Sequence, residues 1–421
     1  MKKILPILLV LAAMFSFTAF SENATTITMS TWLAAEDGTK AIYQEMLDDF
    51  MKANPDIKVE VVALPFNQTK DQVLLAGGSG EAADVIMGNS QMMGAFNAAG
   101  LCATLDELLS PELIEDIYPG YLSGTTYDGE IRAVSWAPHP IVLYYNVELF
   151  EKAGLDPKAP PSTWEETIEY ARKITELGQD ENGNVIYGLG IPTAKVTYSA
   201  TALNGILYAF GGRFLDENGM PAIVNDGNIK VFETLKNLTD EKILPKALEI
   251  KDLRGLFATG QVGMLFDSDA GLAAIRAASG IGAEFDKGID VAICPVGETG
   301  RSETVYTEHQ LAVYAQSDKK EAAVRLVEYL VGPEAMVKYH DAVGTLSARK
   351  SVSSLPEMNL TAFDEVFNKQ SETASPLPAA NPMFDSAMNE MTKAMERVII
   401  AGEDVKTVLE ETQEILVSMY E

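Results

Sequence analysis

The sequence predicts an α/β fold divided into two domains, on three observations. Strand-like runs at residues 27–32, 57–62 and 84–87 each lead into a helical stretch, and such alternation builds a parallel, doubly wound sheet. The chain has 421 residues, which favours two domains over one. Residues 131–136 and 141–145, rich in Val, Ile, Trp and Tyr, flank Ala137-Pro138-His139-Pro140. That composition suits buried strands, while the two prolines block a continuous central strand. The stretch is either a covalent crossing between two lobes or a bent strand inside one, and its local sequence leaves both open.

The chain begins Met1-Lys2-Lys3, and a mostly apolar run then reaches Phe20, with small residues at Ala19 and Ser21. A basic start, a short apolar segment and a small-residue site make a secretory signal peptide, with cleavage expected after Ser21. No Cys lies near that point to accept a lipid, so an exported, periplasmic, soluble protein is expected. The formal net charge is −29, and loss of Lys2 and Lys3 on cleavage lowers it by two, to −31. Such a chain is repelled by nucleic acid and by anionic membrane surfaces. Cys102 and Cys294 are the two cysteines; export permits a disulfide, but two distant cysteines do not set a framework, and their pairing stays open. Three histidines and no Cys-x-x-Cys or His-Glu-x-x-His leave the usual zinc signatures unmet. No cofactor is expected.

In chain order, the strand at 27–32 is followed by a helix at about 39–53, with Ile42, Met46 and Phe50 on one face and Tyr43 and Leu47 beside them. Asn54-Pro55 stops it. The strand at 57–62 alternates apolar and polar residues. A helix near 68–76 ends in Gly77-Gly78-Ser79-Gly80. That run follows a helix rather than a strand and lacks a following Lys-Ser or Lys-Thr, so it reads as a helix C-cap, not a phosphate loop. Thr163 and Glu166 form a capping box for a helix to about Leu177. Asp216-Glu217-Asn218-Gly219 lacks the EF-hand spacing and reads as a β-turn. Strands at 262–266, 290–294 and 310–315 alternate with helices, and helices at 385–400 and 404–419 end the chain.

These motifs, taken in order, resemble the family 1 extracellular solute-binding proteins of ABC importers, the maltose-binding-protein type. The resemblance covers nearly all of the mature chain. Glu36-Asp37-Gly38 after the first strand looks like the family's first ligand loop. Phe50-Met51-Lys52-Ala53-Asn54-Pro55-Asp56-Ile57-Lys58-Val59 is similar to its F-x-x-x-N-P-x-I-x-V run. Gly80 to Val85 is similar to G-x-x-P-D-V, with Ala83 in place of Pro. Asp128 to Asn146 resembles the G-K-x-Y-G-V-P … Y-Y-N passage, and residues 149–166 the L-F-x-K-A-G-L … P-x-T-W-x-E passage. Residues 263–267 and 344–351 resemble two later motifs, with Ser347 replacing Pro in the second.

The resemblance implies a type II two-lobed periplasmic-binding-protein fold, each lobe a doubly wound sheet, joined by three hinge crossings near Ala137, Cys294-Pro295 and residues 315–317. Lobe 1 is then residues 22–137 plus 294–314, and lobe 2 is residues 138–293 plus 315–421. It also implies a monomeric, non-enzymatic protein that captures a small solute, a mono- or oligosaccharide, and delivers it to an ABC permease.

Ligands of open α/β sheets sit beyond the carboxyl ends of strands. Three such ends are residues 32–37, 65–68 and 88–91; by position along the whole chain the candidate contacts are Trp32, Glu36, Asp37, Phe66, Asn67, Asn89, Gln91, Trp136, His139, Asp267, Ser268, Asp269, His309 and Gln310, and the resemblance implies a ligand contact at His139. Indoles offer flat apolar faces to sugar rings, while carboxylates and amides hydrogen-bond hydroxyls. Each has a structural alternative: Trp32 and Trp136 as core residues, Asp267 as a helix cap, His139 as a hinge residue. Tyr198, Thr201 and Asn204 are further candidates on one helix face. Two rival classes remain: a binder of cations such as polyamines or metals, from the acids at 36, 37, 267 and 269, and a secreted glycosidase with paired carboxylates. No serine-hydrolase elbow or metalloprotease helix is present.

Overall fold

The structure is a computed structural model and describes residues 24–421; the expected signal peptide and its cleavage point lie outside the described residues. Its strands are β1 (Thr25–Thr31), β2 (Ile57–Ala63), β3 (Val85–Asn89), the short pair β4 (Thr126–Tyr127) and β5 (Glu130–Ile131), β6 (Val134–Asn146), β7 (Tyr187–Gly190), β8 (Val262–Ser268), β9 (Ile289–Ala292), β10 (Thr304–Val313) and β11 (Ala374–Ser375). One sheet path runs β2-β1-β3-β10-β6-β8-β7, with β9 on β6 and β11 on β10. The outer trio β2-β1-β3 and the pair β7-β8 are parallel, as strand–helix alternation requires. The central pairings β3-β10, β10-β6 and β6-β8 are antiparallel, so the sheet is mixed rather than parallel throughout.

The cores divide this path. The first gathers Ile27, Met29, Val85 and Met87 from the sheet with Tyr43, Met46, Leu47 and Phe50 of the helix Lys40–Ala53. Those four helical positions follow the i, i+3, i+4, i+7 pattern visible in the sequence. Two further cores clothe the other half of the sheet. Ile141, Leu143 and Tyr145 of β6 enter one, while Val142 and Tyr144 enter the other. This alternation is the period of two expected of a strand covered by helices on both faces.

β6 is one continuous 13-residue strand, not two runs broken by prolines. Its first half pairs with β10 and its second half with β8 and β9. Pro138 and Pro140 precede the β8 pairing, which begins at Ile141. A missing N–H there leaves no ladder bond unmade on the open side. β6 is thus a crossing between lobes.

On β10, Val305 belongs to the second core and Tyr306 to the first, so this strand passes from one core to the other. The helices Lys320–Leu330 and Pro333–Val343 bury Val324, Leu326, Val327, Met336 and Tyr339 in the first core. Ala348, Val352 and Met358 also pack in the first core, while Leu346 and Phe367 enter the third, Ala374 the first and Leu377 the second. Register puts the three segments side by side: Tyr306 of β10 faces Pro140 of β6, and Thr304 and Val305 face Ala374 and Ser375 of β11.

Cys102 and Cys294 are both free and buried, in different cores. The helix Phe66–Gly78 is followed by Ser79 and by Gly80 at φ +79°, the left-handed turn expected of a C-cap.

Candidate functional site

The cleft is built where β3 ends beside the middle stretches of β6 and β10, against helices of both lobes. Lobe 1 supplies Phe66, at the start of the helix Phe66–Gly78, and Asn89, Ser90 and Gln91, where β3 turns into the helix Ser90–Ala98. Lobe 2 supplies Tyr198 and Thr201 from the helix Thr197–Ala209, Ala270 from the helix Asp269–Ser279, and Leu377. The hinge strands supply His139 from β6 and Thr307, Glu308 and His309 from β10. Together they enclose about 390 Å³. This lies within the ~300–1,000 Å³ range of small-molecule sites. A larger groove of about 580 Å³ beside Trp164 and Phe210 is lined by lobe 2 alone.

His139 is the one position of β6 that is not buried. Its Nδ1 lies 2.9 and 3.1 Å from the two carboxylate oxygens of Asp269. Burial opposes its charge, but Asp269, with a smaller contribution from Glu308, holds its pKa above the ordinary value. The His309 ring meets His139 edge-on, with centroids 5.5 Å apart. Burial first, and the charge of His139 second, push its pKa down to about 3, so it is neutral. A register shift between His309 and Gln310 skips Trp136 on β6; such bulges re-aim side chains at sites.

Glu308 is 2% exposed. It accepts hydrogen bonds from Ser90 Oγ at 3.2 Å, from Ser135 Oγ and from Gln310 Nε2. Burial outweighs these donors and raises its pKa to about 7. A buried acid flanked by donors from β6, β10 and the Ser90 helix ties the hinge to lobe 1.

Of the fourteen sequence candidates, Phe66, Asn89, Gln91, His139 and His309 line the cleft, and Asp269 joins them through His139. Asn89 also caps its helix, accepting from the Met92 N–H at 2.9 Å. The rest lie elsewhere. Trp32 is buried beneath the cleft, edge-on to Phe66 and His309. Trp136 is fully buried and stacked on Tyr339, 5.1 Å between centroids. No indole therefore faces the cavity: Trp164 is also a core residue. Asp267 is fully buried in a two-pronged pair with Arg254, Nε at 2.6 Å and Nη2 at 2.9 Å. Ser268 is buried at the cap of the following helix, and Gln310 is buried against Gly124 O and Glu308. Glu36 and Asp37 are exposed on their loop, Asp37 in a separate depression with Lys40 and Gln44, and Asn67 is exposed.

Sequence reasoning missed Ser90, Ala270, Thr307, Glu308 and Leu377 as cleft residues. For Glu308 a signal existed, since a carboxylate inside an apolar strand is rarely buried without a purpose. Among the described residues there is no group of three or more His, Cys, Asp or Glu arranged to hold a metal ion.

A two-lobed α/β chain with a solute-sized cleft at three hinge strands defines a binding protein that closes around its ligand. Residues 35–337 match the family model described as bacterial extracellular solute-binding protein. A binding protein of Brucella abortus is 23% identical over 360 residues, covering 84% of each chain. The maltotriose-binding protein of Pyrococcus abyssi is 20% identical, over 91% of this chain and 80% of its own. The crystal structure of the sugar-binding protein MalE from Xanthomonas citri superposes with a TM-score of 0.81 at 20% identity, covering 94% of this chain and 97% of the other. The chain belongs to the bacterial extracellular solute-binding protein family, and serves as the solute-binding component of an ABC import system. Among the described residues, no helix is long and apolar enough to cross a membrane.

Proposed function

We propose that the protein captures a neutral saccharide in the cleft and hands it to its permease. The observation that carries this reading is that the acids at the cleft are already committed. Asp269 is paired with His139, and Glu308 accepts from three side-chain donors. What remains toward the cavity is the Phe66 ring, 47% exposed, with the Tyr198 ring and the amides of Asn89 and Gln91. An apolar ring face and a few amides suit the C–H face and hydroxyls of a sugar. The maltotriose-binding and MalE relatives support the same class. Glu36 and Asp37, which a cation binder needs in the cleft, are out on their loop.

In this reading Phe66, Asn89, Gln91, His139, Tyr198 and His309 contact the solute. A solute touching both lobes favours the closed form by the difference in its affinity for the two. The protein is non-catalytic, monomeric, and exported after cleavage of residues 1–21. The test is a thermal-shift screen of stripped, refolded mature protein against sugars, polyamines and divalent metals. A saccharide is expected to raise the melting temperature with dose, by mass action on the native state. A shift with cations alone overturns the reading, and product release from an oligosaccharide places the protein among hydrolases.

A further inference from the structure

One ion pair spans the rim of the cleft. Lys70 Nζ lies 2.6 Å from a carboxylate oxygen of Asp385. Lys70 stands one turn along from Phe66 on the helix Phe66–Gly78, whose Val73 belongs to the first core. Asp385 is the second residue of the helix Phe384–Ile399, whose Phe384, Ala387 and Met388 belong to the second. Among the described residues, every other Lys or Arg ion pair stays within one lobe. The lobes also meet through their backbones: a Cβ added to Gly94 would stand 2.0 Å from the Ala379 carbonyl oxygen.

The chain carries a net charge of −29. Bringing two acidic bodies together costs electrostatic free energy, which a cation on one lobe meeting a carboxylate on the other offsets. In an open form both groups are separately hydrated, so the pair acts only on the closed one. The Lys70 and Asp385 side chains keep 30% and 36% of their exposure. Solvent and salt therefore screen the pair, and its effect is modest and salt-sensitive.

We propose that Lys70 and Asp385 are a positioning pair that latches the lobes across the cleft rim, setting solute affinity through the closed-state population without touching the solute. The link to affinity rests on the cleft being the solute site. The latch itself is tested without solute. Cys102 and Cys294 are buried, with thiol pKa values raised to about 12, so cysteines introduced at one exposed position on each lobe take fluorescent dyes selectively. Energy transfer between the dyes then reports the open-to-closed ratio of the ligand-free mature chain.

At low salt, Lys70→Gln and Asp385→Asn are each expected to raise that ratio about two- to fivefold. The reversed pair, Lys70→Asp with Asp385→Lys, is expected to restore it, and molar salt to erase the differences. An unchanged ratio in both single variants, or a reversed pair that stays as open as the singles, overturns the latch. Restoration by the reversed pair also separates loss of the latch from loss of folding. Failure of every sugar in the thermal screen leaves this result readable, and failure of the latch leaves the sugar reading intact.

Discussion

Replacing Arg254 by Met tests whether Asp267 is structural. Asp267 has no solvent exposure, and two guanidinium nitrogens at 2.6 and 2.9 Å neutralise it. Two other donors reach the carboxylate: the Ser268 N–H at 2.8 Å and the Tyr198 hydroxyl at 3.5 Å. Neither brings a positive charge, so the substitution leaves a buried, uncompensated carboxylate. Breaking such a pair costs about 3–5 kcal/mol. At ~2–4 °C per kcal/mol for a unit of 150–250 residues, the melting temperature falls by about 6–20 °C. Asp267→Asn leaves Arg254, which is 20% exposed and can rehydrate, so it costs less, about 1–3 kcal/mol. Removing both charges together, as Arg254→Met with Asp267→Asn, costs less than the sum of the single changes, because no charge is stranded. Equilibrium denaturation of all variants at one pH and salt measures the three values. If Arg254→Met changes stability by less than about 1 kcal/mol but abolishes solute binding, Asp267 is a ligand contact and the reasoning fails.

Two more predictions follow from the hinge. The folded-state pKa of Glu308, about 7, lies above its ordinary 4.5, so the stability it contributes is full below about pH 4.5 and is lost as pH rises through 7. Glu308→Gln is expected to flatten that part of the stability–pH profile, read by denaturation at pH 4.5 and 7.5; an unchanged slope refutes the assignment. Gly94→Ala places a Cβ 2.0 Å from the Ala379 carbonyl oxygen on the opposite lobe. It should hold lobe 1 at or above its present stability, by helix propensity of roughly 1 kcal/mol, while weakening solute affinity roughly five- to a hundredfold through the blocked closure. Calorimetric titration showing unchanged affinity argues against lobe-to-lobe contact at that point.

Local pattern made most of the elements legible. The Lys40–Ala53 face, the Gly80 turn and the parallel β2-β1-β3 trio all follow from periodicity and glycine placement. Which core each later helix joins was not legible. Helices such as Lys320–Leu330 are amphipathic wherever they dock, so the sequence shows that they bury one face but not against which sheet. The site was half legible for a related reason. A strand end located Asn89, and position along the chain His139 and His309, but alternation alone cannot tell a residue at a cleft from one beneath it. Trp32 follows the end of β1 and Trp136 lies within β6 where the ladder shifts register, and both belong to the core. Asp267 has the look of a cleft acid until Arg254, thirteen residues earlier on a neighbouring helix, is seen to occupy both its oxygens. His139, by contrast, was marked in the sequence by its two flanking prolines, and it is the one member of β6 left open to the cavity.

Solute capture between the lobes, at the hinge strands, is the central claim. Hydrogen–deuterium exchange of the mature protein with and without a saccharide that shifts its melting temperature tests it directly. Added saccharide should slow exchange in peptides holding Phe66 and Gln91 from lobe 1, Tyr198 from lobe 2, and His139 and His309 from the hinge, all together and with the same dose dependence. Slowing confined to the lobe 2 groove beside Trp164 and Phe210, with the hinge peptides unchanged, would contradict it.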